Sequence, residues 1–208
     1  MARINPAAGG AASRPVRRDA AATHAALLDA AGELLVARGP AFVVADLARQ
    51  AGTSTATAYR HFPDTFAALA AYHDRAVQDL LDALVTVPRD VPAEERFGLV
   101  CRRWVERAAR WGPALVHIRA ATGFLRRLRA GDPAITRLYT SLASVLAGLV
   151  DDELIPEQPM EYAVLMWITM FDERMMIDLS EELGWDEAEI ARRLAHSLLR
   201  VLRHPPAD

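Results

Sequence analysis

Apolar residues along this chain recur three and four positions apart, in stretches separated by glycine and proline, and no stretch alternates convincingly as a strand would. Residues 23–38, THAALLDAAGELLVAR, read as an amphipathic helix stopped by Gly39-Pro40. In 44–62, VADLARQAGTSTATAYRHF, Leu47 and Ala51 keep helical spacing with Ala48 beside them. Gly52 stands where that helix must end, because glycine takes a left-handed backbone without penalty. Ser54 can cap a second, short helix, and Ala58 and Phe62 can turn it back onto the first. A long helix over about 64–86 follows directly.

The rest of the chain continues in the same period. PRDVP at 88–92 breaks it, and residues 93–111 carry an inward stripe of Phe97, Cys101, Trp104, Ala108 and Trp111. Gly112-Pro113 predicts another break, then a short helix over 113–121 and a basic one over about 124–130. Asp132-Pro133 starts a helix to about 153, with Ile135, Leu138, Tyr139, Leu142, Leu146 and Leu149 on one side. After Pro156 and Pro159, a long helix spans roughly 160–183 to Gly184, and a last one runs from Asp186 to before Pro205. The expectation is an all-α chain of about nine helices. A three-helix N-terminal unit over 20–66 precedes a helical body over 67–208, behind a disordered basic tail over 1–19.

The outward side of the second short helix is Thr55, Thr57, Tyr59 and His61, with Ala56 leaving an unobstructed approach. Hydroxyls, a phenol and an imidazole on one helical face suit phosphates and base edges in a major groove, which makes 44–62 a helix-turn-helix. Tyr59 and His61 are expected on phosphates and Thr55 and Thr57 nearest the bases. Thr23, Arg49 and Thr65 complete the expected DNA-contacting set, with Arg17 and Arg18 of the tail as a possible arm. The plainer reading of that tail is solubilisation.

From Thr23 to about Asp74 the chain resembles the DNA-binding domain of the TetR family of transcriptional regulators, through Thr23, Leu27, Leu28, Ala30, Ala31, Gly39, Leu47, Ala48, Ala51, Gly52, Ser54, Tyr59, His61, Phe62, Pro63 and Leu69. The resemblance implies a homodimer with a ligand cavity in the body. Two positions depart from the family pattern. Val43 and Val44 stand where such regulators carry a hydroxyl residue, and Thr65 stands where they carry a lysine that grips a DNA phosphate. A threonine brings no charge and releases no counterion.

Charge sharpens this picture. All 24 basic residues are arginine, and the formal net charge is −3. Residues 1–62 hold seven arginines against four acids, while 76–208 hold sixteen against twenty-one. DNA contact confined to one end fits that asymmetry. The single cysteine, Cys101, excludes an internal disulfide and sits as a core residue before it sits as a redox sensor. No signal peptide stands out, and no run approaches the roughly 20 uncharged apolar residues of a membrane span. A cytoplasmic protein with no membrane partner is expected.

The body offers partners rather than catalysis. There is no phosphate-binding glycine loop, paired-histidine metal motif or Gly-x-Ser-x-Gly elbow, so no enzyme, metal or cofactor is expected. The run MEYAVLMWITMF at 160–171 is apolar nearly all round, and such a helix must be covered on every side. With the last helix it is expected to form half of a four-helix dimer interface centred on Trp167, Phe171, Leu194 and Leu198. Arg174, with Asp172 and Glu173, is expected in an ion-pair network at that seam. A ligand cavity is expected among Trp104, Trp111, His117, Phe124, Tyr139, Met166 and Met170, with His117 and Tyr139 as polar anchors and no arginine cluster.

The expected function is a ligand-responsive DNA-binding regulator, a repressor released from double-stranded operator DNA by a small hydrophobic effector. The alternative is a helical small-molecule-binding or interaction protein with a weakened head, for which Val43 and Thr65 speak.

Overall fold

A computed structural model describes residues 13–118 and 123–205, with side chains from Asp19 onward. Among these residues every regular element is a helix: α1 Ser13–Arg38, α2 Val44–Gln50, α3 Thr55–His61, α4 Thr65–Val85, α5 Ala93–Leu115, α6 Phe124–Arg129, α7 Pro133–Asp151, α8 Met160–Met170, α9 Glu173–Glu181 and α10 Glu187–Arg203. The chain divides into two compact units, 1–69 and 70–208, so α4 begins in the first and continues in the second. Helix α1 already runs from Ser13, which makes the last residues of the expected tail helical; residues 1–12 lie outside the described ones.

In the N-terminal unit, α1 buries Leu27, Leu28, Ala30, Ala31 and Leu35 against α2. Gly39 and Gly52, both at φ 65°, end α1 and α2 in the left-handed region that a side chain resists. Leu47, Ala48, Ala58 and Phe62 are buried, and this fixes the crossing of α2 and α3. No side-chain acceptor caps α2, since Val43 occupies its N-cap. Asp46 compensates by accepting the Val43 N–H at 3.0 Å.

In the C-terminal unit, α5 is the central helix and packs on α7, α9 and α10. Its core joins Phe97, Cys101 and Trp104 to Leu142, Leu146, Leu149, Trp167, Phe171, Leu198 and Leu202. Phe97 meets Trp167 edge-on at 4.9 Å, and Trp104 meets Phe171 edge-on at 5.9 Å. Edge-to-face geometry sets the positive ring rim against the partner's negative face.

Two sequence expectations change here. Gly112-Pro113 does not break the chain, because α5 continues to Leu115 with Pro113 inside its last turn. Proline forfeits one backbone bond there, to the carbonyl of Ala109, which lies on an exposed turn where water can satisfy it. The long helix over 160–183 is two helices, α8 and α9, separated at Phe171 and Asp172. The Asp172 carboxylate accepts the Arg174 N–H at 2.9 Å and caps the start of α9. Two stretches, Asp19–Arg38 and Pro133–Asp151, have the length and mean hydropathy of a membrane span, although both contain charged residues. Each turns its apolar stripe into its own unit: Leu27 and Leu35 in one, Leu142, Leu146 and Leu149 in the other, are fully buried.

Candidate nucleic-acid face and ligand cavity

Helix α3 presents its outward side on a local scaffold. Ser54 Oγ accepts the Thr57 N–H at 3.1 Å and lies 2.9 Å from Thr57 Oγ1. Arg60 donates to the same Thr57 oxygen at 3.0 Å. Thr55, Ala56, Tyr59 and Arg60 are exposed, and Thr57 is half-buried. Arg60 escaped the sequence reading, although it stands between Tyr59 and His61 and is the one cation on α3's outer surface among the described residues. His61 is half-buried, its ring 5.6 Å from that of His24, which itself packs on Phe62 at 5.0 Å.

The other candidate DNA residues are partly engaged. Thr65 donates its hydroxyl to the Phe42 carbonyl at 3.2 Å, so its proton is committed to joining α4 to the segment before α2. Thr23 donates to the Asp19 carbonyl within α1 at 2.8 Å. Arg49 is highly exposed but paired with Asp46. Asp46 also meets Arg38 at 3.1 Å, and the Val43 N–H, followed by Arg49 and Arg38, holds its carboxyl below the usual aspartate range. Arg17 and Arg18 fall on the first turns of α1, and their side chains lie outside the described residues.

Within the C-terminal unit lies a cavity of about 240 Å3. Helix α5 supplies Trp104, Arg107, Ala108, Trp111 and Leu115, one continuous stripe at three- and four-residue spacing. His73 and Val77 from α4, Phe124 and Arg127 from α6, Leu138 from α7, Ile168 from α8 and Glu173 from α9 close it. Trp111 is fixed firmly. Its Nε1 donates to Asp79 at 2.8 Å, and Arg75 and Arg110 lie over its ring, each 5.3 Å from the centroid.

Of the seven residues expected to line a cavity, Trp104, Trp111 and Phe124 do so. The other four do not. His117 is exposed in the turn after α5, because that helix runs through Pro113 and carries it past the core. Tyr139 is half-buried against the core, and its neighbour Leu138 faces the cavity instead. Met166 and Met170 also pack half-buried on the core, while Ile168 takes the wall. The expected absence of arginine is overturned by Arg107 and Arg127.

Electrostatics distinguish the polar wall residues. Arg127 is neutralised by Asp132 at 2.8 Å and Asp74 at 3.5 Å. Burial, then the Arg127 charge, pushes the His73 imidazole below its usual range. Burial, then the Asp172 charge, pushes the Glu173 carboxyl above its own; its only counterweight is the Glu173 backbone N–H. Glu173 lies beside Gly112, where a Cβ would make an ordinary van der Waals contact with the Glu173 Cβ at 3.7 Å. Among the described residues no group of His, Cys, Asp and Glu is arranged to hold a metal ion.

The expected dimer centre is also corrected. Trp167, Phe171, Leu194 and Leu198 are 0%, 1%, 7% and 0% exposed within one chain, so they form its own core rather than a surface. Arg174 is exposed and donates to the Val116 carbonyl at 2.9 Å, while Asp172 caps α9; among the described residues neither is paired with an opposite charge within the chain.

Residues 27–70 match the family model for bacterial regulatory proteins of the tetR family. No curated protein matches the chain. Solved structures match over nearly its whole length. The fatty acid degradation regulator FadR from Bacillus halodurans is 16% identical, with a TM-score of 0.71, covering 88% of this chain and 97% of that one. The transcriptional regulator FadR from Bacillus subtilis, in complex with stearoyl-CoA, is 19% identical with a TM-score of 0.68, over 88% of this chain and 100% of that one. RolR in complex with resorcinol is 19% identical with a TM-score of 0.61, over 89% of each chain. At these identities the likeness is one of fold.

Proposed function

We propose that this chain, which belongs to the tetR family of bacterial regulatory proteins through residues 27–70, is a ligand-responsive transcriptional regulator that represses by binding operator DNA as a homodimer. The observation that carries the DNA-binding reading is the outer surface of α3. Thr55, Ala56, Tyr59 and Arg60 stand free of the core on a helix held by the Gly52 turn and the Ser54 cap. Tyr59, His61 and Arg60 contact phosphates; Thr55 and Thr57 lie nearest base edges. Arg60 supplies the charge that Thr65 does not, and Arg49, Thr23, Arg17 and Arg18 add weaker contacts.

The effector site is the cavity behind Trp104, Trp111 and Phe124. Related folds bound to stearoyl-CoA and to resorcinol support a small-molecule role for the body. Binding changes DNA affinity only as far as the ligand prefers one arrangement of the chain over another. The dimer uses the outer sides of α8 and α10, where Tyr162 and Val201 are 38% and 36% exposed beside the buried core face. Sedimentation at micromolar concentration gives a species near twice 22.8 kDa. The deciding experiment selects bound sequences from a random duplex library and repeats the selection with Thr55→Val. A near-palindromic consensus is expected, altered in the variant. A wild-type protein that selects no sequence contradicts the proposal and favours a binding protein without a working head.

A further inference from the structure

The charged residues of the cavity wall are not balanced alike. Arg127 meets Asp132 at 2.8 Å and Asp74 at 3.5 Å, and Arg107 meets Asp79 at 3.8 Å, so each wall arginine has an acid against it. The His73 imidazole is held below its usual range by burial and then by the Arg127 charge, so at neutral pH it adds no positive charge. Glu173 has no such counterpart. Among the described residues no side chain bonds to its carboxylate, and the charge that acts on it is that of Asp172, which has its own sign. The residue is half-buried, which leaves it within reach of a molecule in the cavity. A carboxylate in an apolar wall without a cation is destabilised, and a ligand that brings the cation removes that penalty.

The rest of the wall suits the same kind of ligand. Arg75 and Arg110 lie over the Trp111 ring, each 5.3 Å from its centroid, so the protein already sets cations on an aromatic face there. Trp104 and Phe124 supply the remaining aromatic surface of the cavity. Aromatic rings attract a cation through their negative faces and pack against flat apolar groups. A cavity of about 150 Å3 takes benzene. At about 240 Å3 this one takes a substituted ring or two fused rings. An anion of that size would meet Glu173 as a like charge, and a neutral molecule would leave Glu173 as it is.

We infer that the cavity binds an organic monocation, an ammonium group carried on one or two aromatic rings, whose charge is met by the Glu173 carboxylate and whose rings lie against Trp104 and Phe124. The inference rests on the proposed effector site for its regulatory meaning, but its binding chemistry is tested separately. Glu173 thus selects for the charge, and the aromatic wall selects for the flat body.

Calorimetric titration of the full-length protein at neutral pH compares β-naphthylmethylammonium, β-naphthylmethanol and β-naphthoate, three probes of nearly one shape and three charges. Benzylammonium, benzyl alcohol and benzoate form a smaller series of the same design. The ammonium should bind about tenfold or more tighter than its alcohol, the size of one charge-assisted hydrogen bond, and the carboxylate should bind most weakly. Glu173→Gln should bring ammonium and alcohol to equal affinity and leave the alcohol's unchanged, which also shows that the variant is folded. The ranking in the unaltered protein decides without any variant. An alcohol or carboxylate that binds as tightly as its ammonium, a preference that survives in Glu173→Gln, or no binding of either ammonium overturns the inference. The ammonium that binds is then added to the protein on DNA selected from the random library. Binding that depends on Glu173 but releases no DNA leaves the cavity chemistry standing and refutes the effector role.

Discussion

Asp46 in the N-terminal unit and Glu173 in the C-terminal unit are both carboxylates near a helix start, and their surroundings are opposite. Asp46 holds a backbone N–H and two arginines, so its charge is satisfied inside the protein. Glu173 sits against Gly112 in an apolar wall with only its own N–H for support. The head closes these polar bonds internally and offers α3's outer surface to a partner. The body places Glu173, which no other described residue pairs with, on the wall of a cavity. A surface reader gains from rigidity, whereas a small-molecule site gains from groups that only the ligand completes.

The sharpest way to break this comparison is to damage the body's core. Phe171→Ala should cost about 3–5 kcal/mol, because the ring is buried between Trp104 and Trp167. Urea unfolding checks this, and a cost below about 1 kcal/mol would place Phe171 at a surface after all. Tyr59→Ala should do the reverse. It should weaken DNA binding about tenfold on every sequence, the worth of one phosphate hydrogen bond, and leave the urea midpoint unmoved, since the ring is 49% exposed.

The carboxylates predict pH effects of opposite sign. The folded state holds Asp46 low, so it contributes stability above the usual aspartate range that is lost as pH falls through its lowered value. Asp46→Asn should flatten that acid limb in a pH series of urea midpoints. The folded state holds Glu173 high, so folding binds its proton between the usual glutamate value and the raised one. Its contribution to stability therefore declines as pH rises through that window. Glu173→Gln should abolish the decline and leave the protein slightly more stable at neutral pH. If both variants shift stability in the same sense, the contrast between the units is wrong. The smallest effect is expected from Arg60→Gln, which should reduce the salt dependence of DNA binding by about one counterion.

The head was legible in the sequence because its signals are local. Gly52, the Leu47–Ala51 spacing and the Ser54 cap each act within a turn of the chain, and the structure keeps all three. The body was read well only where proline or glycine coincided with a real helix end, as at Asp132-Pro133. The break at Phe171-Asp172 contains neither, and its one local signal was an aspartate able to cap. Without that break, Glu173 is read as lying on a single long helix, and its place in the cavity wall is hidden. Trp167 and Phe171 were misplaced for a related reason: a helix apolar on all sides does not say which side meets its own core. Pro113 misled in the opposite direction, since one missing bond in a last turn does not end a helix.

The setting of Trp111 has an optical consequence. An indole held by Asp79 between two guanidinium groups emits under a strong fixed field, and whatever enters the cavity alters that field from the open side. Trp167, sealed in the core, keeps a constant environment in the same spectrum. Emission colour, and not intensity alone, should therefore track cavity occupancy, with the protein carrying both indicator and reference among its own four tryptophans.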